Sequence, residues 1–139
     1  MKPPGFESVL LGSELPALTL PPISRTTLAY YCGASGDHNP MHVDCDFARQ
    51  AGYPDVFAHG MLSMAYLGRA VTDWVPLDRV RSFTVRFVAM TQLHEVVTCT
   101  GRVAEMLEVA GEKRARIELE AKTQKGVTTL KGEAVVALQ

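Results

Sequence analysis

The segment from His59 to Trp74, HGMLSMAYLGRAVTDW, limits how this chain can fold more than any other. On a helical wheel its apolar residues cover most of the circumference: Met61, Leu62, Met64, Ala65, Leu67, Gly68 and Val71. A helix that is apolar nearly all round is a buried helix, so other parts of the chain must cover it on several sides. At about 1.5 Å per residue it would be about 24 Å long, which spans a small domain.

Four segments after this helix alternate between apolar and polar residues, as strands with one buried face do. They are residues 79–91, 95–105, 113–122 and 127–138. The clearest is KRARIELEAK, in which one face carries Ala115, Ile117, Leu119 and Ala121. The pairs Gly111-Glu112 and Lys125-Gly126 are typical of hairpin turns. The pattern predicts an antiparallel sheet with one apolar face.

The simplest arrangement of these elements is an α+β fold in which a curved antiparallel sheet wraps the long central helix. One helix leaves part of such a sheet and its edge strand uncovered, and a second copy of the chain would cover both, so we expect a dimer. The 139 residues, 47% of them hydrophobic, suffice for one globular domain with a core. We therefore take residues 1–139 as a single domain.

The first part of the chain predicts shorter elements. Residues 18–23 are typical of an edge strand or a bend, because their two consecutive prolines would interrupt a central strand. Ser24, or else Thr26, is placed to cap a helix that Gly33 and then Gly36 end.

Composition and charge exclude several kinds of partner. The chain has 14 Lys and Arg against 15 Asp and Glu, so it has no basic surplus for nucleic acid. No apolar stretch approaches the ~20 residues that cross a bilayer, and the N-terminus lacks the apolar core of a signal peptide, so we expect no membrane association. The cysteines at 32, 45 and 99 are odd in number and form no CxxC pair, which is typical of free thiols in the cytoplasm.

The residues that can carry chemistry are concentrated in GDHNPMHVDC, residues 36–45, a turn-rich segment before a short helix predicted for residues 46–52. Asp37 and His42 are five residues apart, which does not place them on one face of a straight helix. A turn at Pro40 can nevertheless aim both side chains at one spot. A carboxylate and an imidazole that share one water can activate it, one group taking its proton while the other returns a proton to the substrate.

Two other interpretations of this segment stay open on the residues alone. Asp-x-Asn-Pro is common in turns, where Asp37 would bond only to the backbone. The segment also contains several residue types that ligate metals: Asp37, His38, His42, Asp44 and Cys45. Zinc sites usually draw a second cluster of ligands from elsewhere in the chain, and His59 is the one nearby candidate, so we predict no metal site.

The start of the predicted central helix, Ala58-His59-Gly60-Met61, is the second candidate feature. A helix N-terminus presents free N–H groups and the positive end of the dipole, and glycine lets a ligand approach the backbone closely. The N–H of Gly60 is therefore a candidate for holding a carbonyl oxygen on which negative charge develops. Alternatively, Gly60 only permits tight packing and His59 is a core histidine.

The blocks YCGASGDHNPMH, residues 31–42, and FAHGML, residues 57–62, resemble the MaoC-like dehydratases, which include the (R)-specific enoyl-CoA hydratases of the hydratase 2 family. The family pattern resembles Y-x-x-x-S-G-D-x-N-P-[LIM]-H, followed further along by [AV]-H-G-M. Weaker similarity runs through residues 85–87 and 131–134, so the resemblance extends over residues 6–138. The chain is similar in particular to the catalytic subunits of (R)-3-hydroxyacyl-ACP dehydratases.

This resemblance implies a hot-dog fold, used as a homodimer or a heterodimer. It also implies reversible syn hydration of a trans-2-enoyl thioester of coenzyme A or an acyl carrier protein to the (R)-3-hydroxyacyl thioester, with no cofactor. Asp37 and His42 would form the acid–base dyad, Asn39 would orient it, and the Gly60 N–H would bind the thioester carbonyl. Further candidates for substrate binding are Met41, His59, Met61 and Arg86.

Two other functions stay open beside this one. A hot-dog thioesterase also uses a carboxylate and a helix N–H, although the GDHNPMH block argues against it. A non-catalytic partner subunit of a heterodimer would usually lack the Asp and His that this chain keeps. Where some single-domain hydratases carry a serine, this chain has Gly68, with Ser63 nearer the helix start, which predicts a larger acyl pocket or a lost polar contact. Arg81 and Arg86 fit a solvated strand face, or alternatively meet the phosphates of the acyl carrier.

Overall fold

The computed structural model describes residues 4–139, so the first three residues of the range predicted as one domain lie outside the described residues. Its helices are α1 (Arg25–Ser35), α2 (Cys45–Gln50) and α3 (Gly60–Thr72). Its strands are β1 (Leu18–Thr19), β2 (Val80–Phe87), β3 (Val97–Val109), β4 (Glu112–Thr123) and β5 (Thr128–Ala137). Short 3₁₀ helices cover Phe6–Ser8, Pro40–His42 and Leu77–Arg79. None of the helices in this range has the apolar length that a membrane span requires.

The strands form one antiparallel sheet in the order β1-β3-β4-β5-β2. The strands β3, β4 and β5 pair as consecutive hairpins, whereas β2 pairs with the far side of β5, from Val80 opposite Val136 to Phe87 opposite Leu130. Both β1 and β2 are therefore edge strands in this chain. The predicted α+β class is confirmed, and the predicted edge strand at residues 18–23 is limited to Leu18–Thr19.

The helix α3 lies across one face of the sheet and contacts β2, β3, β4 and β5. Its buried residues join strand residues in the main apolar core, which includes Leu67, Val71, Val103, Ile117, Leu130 and Val136. Fully burying one such side chain contributes about 1.5–3 kcal/mol, so this contact supplies much of the driving force for folding. Cys99 of β3 belongs to the same core, and burial raises the pKa of its thiol to about 11.

The prediction that α3 is buried nearly all round is wrong for the single chain. Leu62 and Leu67 face the interior, but Met61 is 52% exposed and Ala65 and Arg69, one and two turns further on, are exposed as well. The sequence pattern does not distinguish a face covered by the chain's own sheet from a face that a second chain would cover. The exposed apolar residue Met61 is compatible with the predicted dimer.

Capping side chains set the ends of the first two helices. Ser24 caps α1 by accepting a hydrogen bond from the Thr27 N–H at 3.0 Å, as predicted. The helix continues past Gly33 and ends at Gly36, whose φ of 75° is strained for residues with a Cβ. The Asp44 carboxylate accepts hydrogen bonds from the first N–H groups of α2, so this residue caps a helix rather than facing a site.

The hairpin between β3 and β4 turns at Ala110-Gly111, one residue earlier than predicted. Both residues have positive φ, 50° and 81°, as a two-residue type I′ turn requires. Glu112 already belongs to β4, and its carboxylate accepts hydrogen bonds from Arg81 at 2.7 and 2.9 Å and from Arg114 at 2.6 Å. These bonds lower the pKa of Glu112 to about 2 and hold Arg81 on the strand.

The backbone at Gly132 of β5 leaves no room for a side chain, so replacing this glycine should destabilise the fold. A Cβ at this position would overlap the carbonyl oxygen of Thr84 on β2 and lie 2.8 Å from Val85 Cγ1. We expect Gly132→Ala to lower the free energy of unfolding, measured by urea denaturation, by about 1–3 kcal/mol, the usual cost of overpacking. Gly33→Ala is the matched control, because open space surrounds that position inside α1, and it should raise stability by up to ~1 kcal/mol. Equal effects of the two substitutions would contradict this account of β5.

Candidate active site

The loop after α1 is shaped by its own side chains. The Asp37 carboxylate accepts a hydrogen bond from the Asn39 N–H at 3.2 Å, and the Asn39 side-chain oxygen accepts one from the Met41 N–H at 3.1 Å. Pro40 begins the 3₁₀ helix, a position where its missing N–H costs no hydrogen bond. The turn interpretation and the site interpretation are therefore compatible, because the turn that these bonds build carries His42 back toward Asp37.

His42 is 8% exposed and its ring is oriented by one strong hydrogen bond. The Nδ1–H donates to the carbonyl oxygen of Phe57 at 2.7 Å. Because a carbonyl oxygen only accepts, this bond places the proton on Nδ1 and leaves the Nε2 lone pair free. One ligand atom each of Asp37, His42 and His59 lies within 4.8 Å of the other two. The predicted carboxylate and imidazole are thus close together, with Asp37 exposed to solvent.

His59 lies behind this pair. It is 1% exposed, its Nε2–H donates to the Asp37 carbonyl oxygen at 3.3 Å, and its ring stacks on the His42 ring with centroids 3.9 Å apart. Burial, and secondly the neighbouring His42, lower the pKa of His59, which favours the neutral imidazole. His59 therefore contacts the dyad residues and has almost no surface left for a substrate.

Tyr31 is a residue to which the sequence analysis assigned no role. Its ring packs edge-on against the His59 ring, with centroids 4.8 Å apart. Burial and then the Asp37 carboxylate raise the pKa of the Tyr31 phenol, so it stays protonated at neutral pH. The sequence could have pointed to Tyr31, because this tyrosine is the first residue of the motif at residues 31–42.

The helix α3 begins at Gly60 beside a groove of about 360 Å³. No side chain caps α3, so its first N–H groups, including that of Gly60, are left for other acceptors. A Cβ on residue 60 would lie 3.0 Å from the Phe87 ring, so glycine also permits close packing here. The groove is mostly apolar, with walls that include Phe57, Phe87, Val88, Met90 and Leu130.

Phe57 connects the groove to the dyad. It lines the groove, its carbonyl oxygen binds His42 Nδ1, and its ring meets the His42 ring edge-on at 5.1 Å. Polar groups in the groove include the buried hydroxyls of Ser63 and Thr91, which are 3.4 Å apart. Most of the wall residues lie at the end of β2, in residues 88–91 that follow it, and in β5. Pattern reading missed them because only the folded sheet brings them to α3.

The other predicted substrate-binding residues do not line the described groove. Met41 packs into an apolar cluster beside α1, and Met61 is on the exposed face of α3. Arg86 alternates with Phe87 along β2, so it lies on the opposite face of the sheet, beside Lys131. The structure does not bring these three side chains together with Asp37 and His42.

Gly68 of α3 faces the Phe83 ring of β2. A Cβ there would lie 3.5 Å from this ring, an ordinary van der Waals contact. Gly68 does not line the groove described above, so the expected enlargement of the acyl pocket stays a prediction. Ser63 instead provides a polar side chain in the groove.

Asp37, His42 and His59 are also donor types that a zinc ion uses. One nitrogen of each ring is hydrogen-bonded to a backbone carbonyl, and the rings stack with 27° between their planes. Stacked rings direct their lone pairs along neighbouring planes rather than toward the common point that a tetrahedral ion needs. Of the other candidate ligands in the segment, His38 is exposed and Asp44 caps α2. The absence of a metal site at these residues stays a prediction.

Comparison with known sequences places these features in a family. The model of the MaoC like domain matches residues 13–125. Fatty acid synthase subunit beta of Saccharomyces cerevisiae is 29% identical over 133 residues, which are 94% of this chain but 6% of that protein. The chain thus spans only a small part of the length of this relative. An (R)-specific enoyl-CoA hydratase of Rhodospirillum rubrum is 28% identical over 133 residues, 94% of this chain and 89% of that protein.

Comparison with solved structures confirms the hot-dog fold. The unliganded R-hydratase of Pseudomonas aeruginosa superposes with a TM-score of 0.85 at 26% identity, over 96% of this chain and 84% of that one. The residues matched by the family model include the Asp37 loop, the start of α3 and the end of β2. On these grounds the chain belongs to the MaoC-like domain family.

Proposed function

We propose that this chain catalyses the reversible syn hydration of trans-2-enoyl thioesters to (R)-3-hydroxyacyl thioesters. The observation that carries the proposal is the convergence of Asp37 and His42, with ligand atoms within 4.8 Å of each other, near a groove that starts at the N-terminus of α3. A relative that is named an (R)-specific enoyl-CoA hydratase and matches 94% of the chain supports the same reaction.

The nucleophile in this proposal is a water held between the Asp37 carboxylate and His42 Nε2. The bond from His42 Nδ1–H to Phe57 keeps the tautomer in which Nε2 can accept a proton. As the water oxygen adds to C3 of the enoyl group, the dyad takes a proton from this water and returns a proton to C2, so its own protonation is unchanged after one turnover. Because both residues lie on one side of the double bond, the addition is syn. Close acid and base groups share their protons, so we assign the two transfers to the pair.

Negative charge develops on the thioester carbonyl oxygen when water adds to C3. We assign the Gly60 N–H, at the positive end of the α3 dipole, to hold this oxygen. A single fixed donor of this kind is worth about 3 kcal/mol of transition-state stabilisation. Gly60 is exposed and lines the groove, which favours access of a substrate to its N–H.

The apolar walls of the groove suit an acyl chain, with the coenzyme A or acyl-carrier portion extending into solvent. Phe87, Val88 and Met90 line the groove and yet are 53%, 52% and 44% exposed. They lie at the end of β2 or just after it, and β2 is an edge strand. An uncovered apolar wall beside a free edge favours a second chain, identical or related, as its cover.

The proposed reaction adds a proton and a hydroxyl group from water, so it needs no oxidant or reductant. The acid–base dyad and one backbone donor supply every step, so the proposal needs neither a metal ion nor an organic cofactor. The thioester carrier is part of the substrate.

The reaction itself is tested with crotonyl-CoA and longer trans-2-enoyl-CoA thioesters. We expect the absorbance of the enoyl thioester to fall without release of free thiol, and chiral chromatography to identify the (R)-3-hydroxyacyl product. Release of free thiol would instead identify a thioesterase. Absence of any reaction across a panel of chain lengths, with both carriers, would contradict the proposal.

The dyad is tested by Asp37→Asn and His42→Ala. Each should lower kcat about 100-fold or more, the usual contribution of acid–base groups, without changing the circular dichroism spectrum. The matched control is His38→Ala, since His38 is an exposed imidazole in the same loop and should be dispensable. A rate near wild type in either dyad variant would reject the assignment.

The role of the Gly60 N–H is tested by proline, which is tolerated at the first helical position but has no N–H. His59, with φ −56° and ψ 133°, already has the extended conformation that precedes proline. In a Phe87→Ala background that makes room for the ring, Gly60→Pro should give a kcat about 100-fold below that of Gly60→Ala in the same background. Equal rates in the two double variants would show that this N–H contributes nothing.

A further inference from the structure

His59 is a buried polar residue that the proposed reaction does not use. It directly precedes α3, but its side chain does not cap the helix. The ring instead contacts both residues of the dyad, through a hydrogen bond to the Asp37 carbonyl at 3.3 Å and through stacking on His42 at 3.9 Å. No other described ring contact joins the two halves of the dyad in this way.

We propose that His59 is a positioning residue of the dyad, which holds Asp37 and His42 in place and does so as a neutral imidazole. The kinetic effect of this role rests on the proposed hydration, whereas the geometry and the protonation state of His59 do not. The two contacts of His59 have different roles. The N–H anchors the backbone of the loop at residue 37, and the ring face fixes the plane of the imidazole at residue 42.

The hydrogen-bond pattern supports the neutral state. The Asp37 carbonyl only accepts, so the ring proton of His59 is on Nε2. Nδ1 is buried and has no hydrogen-bond partner among the described residues, so a second proton there would find no acceptor. The titratable groups that face the ring are Tyr31 of α1 and Asp37 and His42 of the loop. Burial and His42 both act against a charge on His59, outweighing the opposite effect of Asp37.

A neutral ring at this position leaves His42 free to be protonated during the reaction. If the water proton resides on His42, that ring is an imidazolium, and an uncharged ring 3.9 Å away does not oppose its charge. A charged His59 would repel it. His42 also makes a T-shaped contact with the Phe57 ring, so its ring is held from two directions.

The kinetic experiment compares His59→Ala, which removes both contacts, with His59→Gln, which can still donate an N–H to the Asp37 carbonyl. We expect the alanine variant to lose kcat about 100-fold with KM nearly unchanged, since about 1 Å of misplacement can cost that much. The glutamine variant should have an intermediate kcat. If the alanine variant does not fold, reduced kcat at unchanged KM in the glutamine variant supports the proposal, and wild-type kcat overturns it.

Ile23→Ala is the control for loss of core packing. Ile23 is 1% exposed in the apolar cluster that packs against Tyr31, but it has no hydrogen bond or ring contact with the dyad among the described residues. It should lower the melting temperature while kcat at moderate temperature stays near wild type. If kcat falls as far in Ile23→Ala as in the alanine variant of His59, then His59 only fills the core and the proposal is overturned.

The protonation state is tested without substrate, by NMR of the full chain labelled with ¹⁵N-histidine. We expect His59 to keep the Nε2–H tautomer at neutral pH and to have a pKa below the ordinary histidine pKa of 6.5. We also expect His59→Gln to shift the ring signals of His42. A charged or Nδ1–H form of His59 at neutral pH, or unchanged His42 signals, would overturn the proposal. Because these signals need no turnover, they decide on His59 even if the chain hydrates no enoyl thioester.

Discussion

The packing of α3 across the sheet sets the position of every group in the site. Burying Leu67 and Val71 among the strand side chains fixes the helix axis, and the helix N-terminus then lies at the end of β2. There the Phe87 ring approaches residue 60 so closely that only glycine fits without displacing it. The loop with Asp37 and His42 is attached to the same end by hydrogen bonds to Phe57 and from His59. The loop that carries the carboxylate and the imidazole thus lies near the start of α3 because one helix is held firmly against one sheet.

Features that depend only on residues close together in the sequence were predictable from it. Period-2 alternation identified the strands, and the Ser24 cap and the glycine at 36 followed from the local chemistry of helix ends. The turn at Ala110-Gly111 was placed one residue late, because alanine at a positive φ has no sequence signal. The exposed face of α3 was missed for a different reason. An apolar residue such as Met61 has the same appearance in a sequence whether its cover is its own sheet or another chain.

In the candidate site, too, the features set by nearby residues were predictable and those set by distant residues were not. Asp37 and His42 were identified because Pro40 and Asn39 create a turn within the segment itself, and the structure brings their side chains together. Much of the groove wall comes from the end of β2, from residues 88–91 after it and from β5, and the pairing of Phe87 with Leu130 is a long-range register. Arg86 is instructive, because the alternation that identified β2 also places Arg86 and Phe87 on opposite faces. A solvated strand face was one of the two positions predicted for Arg86, and its place beside Lys131 fits that alternative.

The burial of Cys99 has a chemical consequence for a chain of this proposed activity. Conjugated thioesters are Michael acceptors, and they alkylate cysteines in the thiolate form. Burial holds the pKa of the Cys99 thiol at about 11, so that side chain stays protonated and poorly nucleophilic under physiological conditions. The chain thereby places a sulfur atom inside its core without exposing it to covalent self-inactivation by an electrophile.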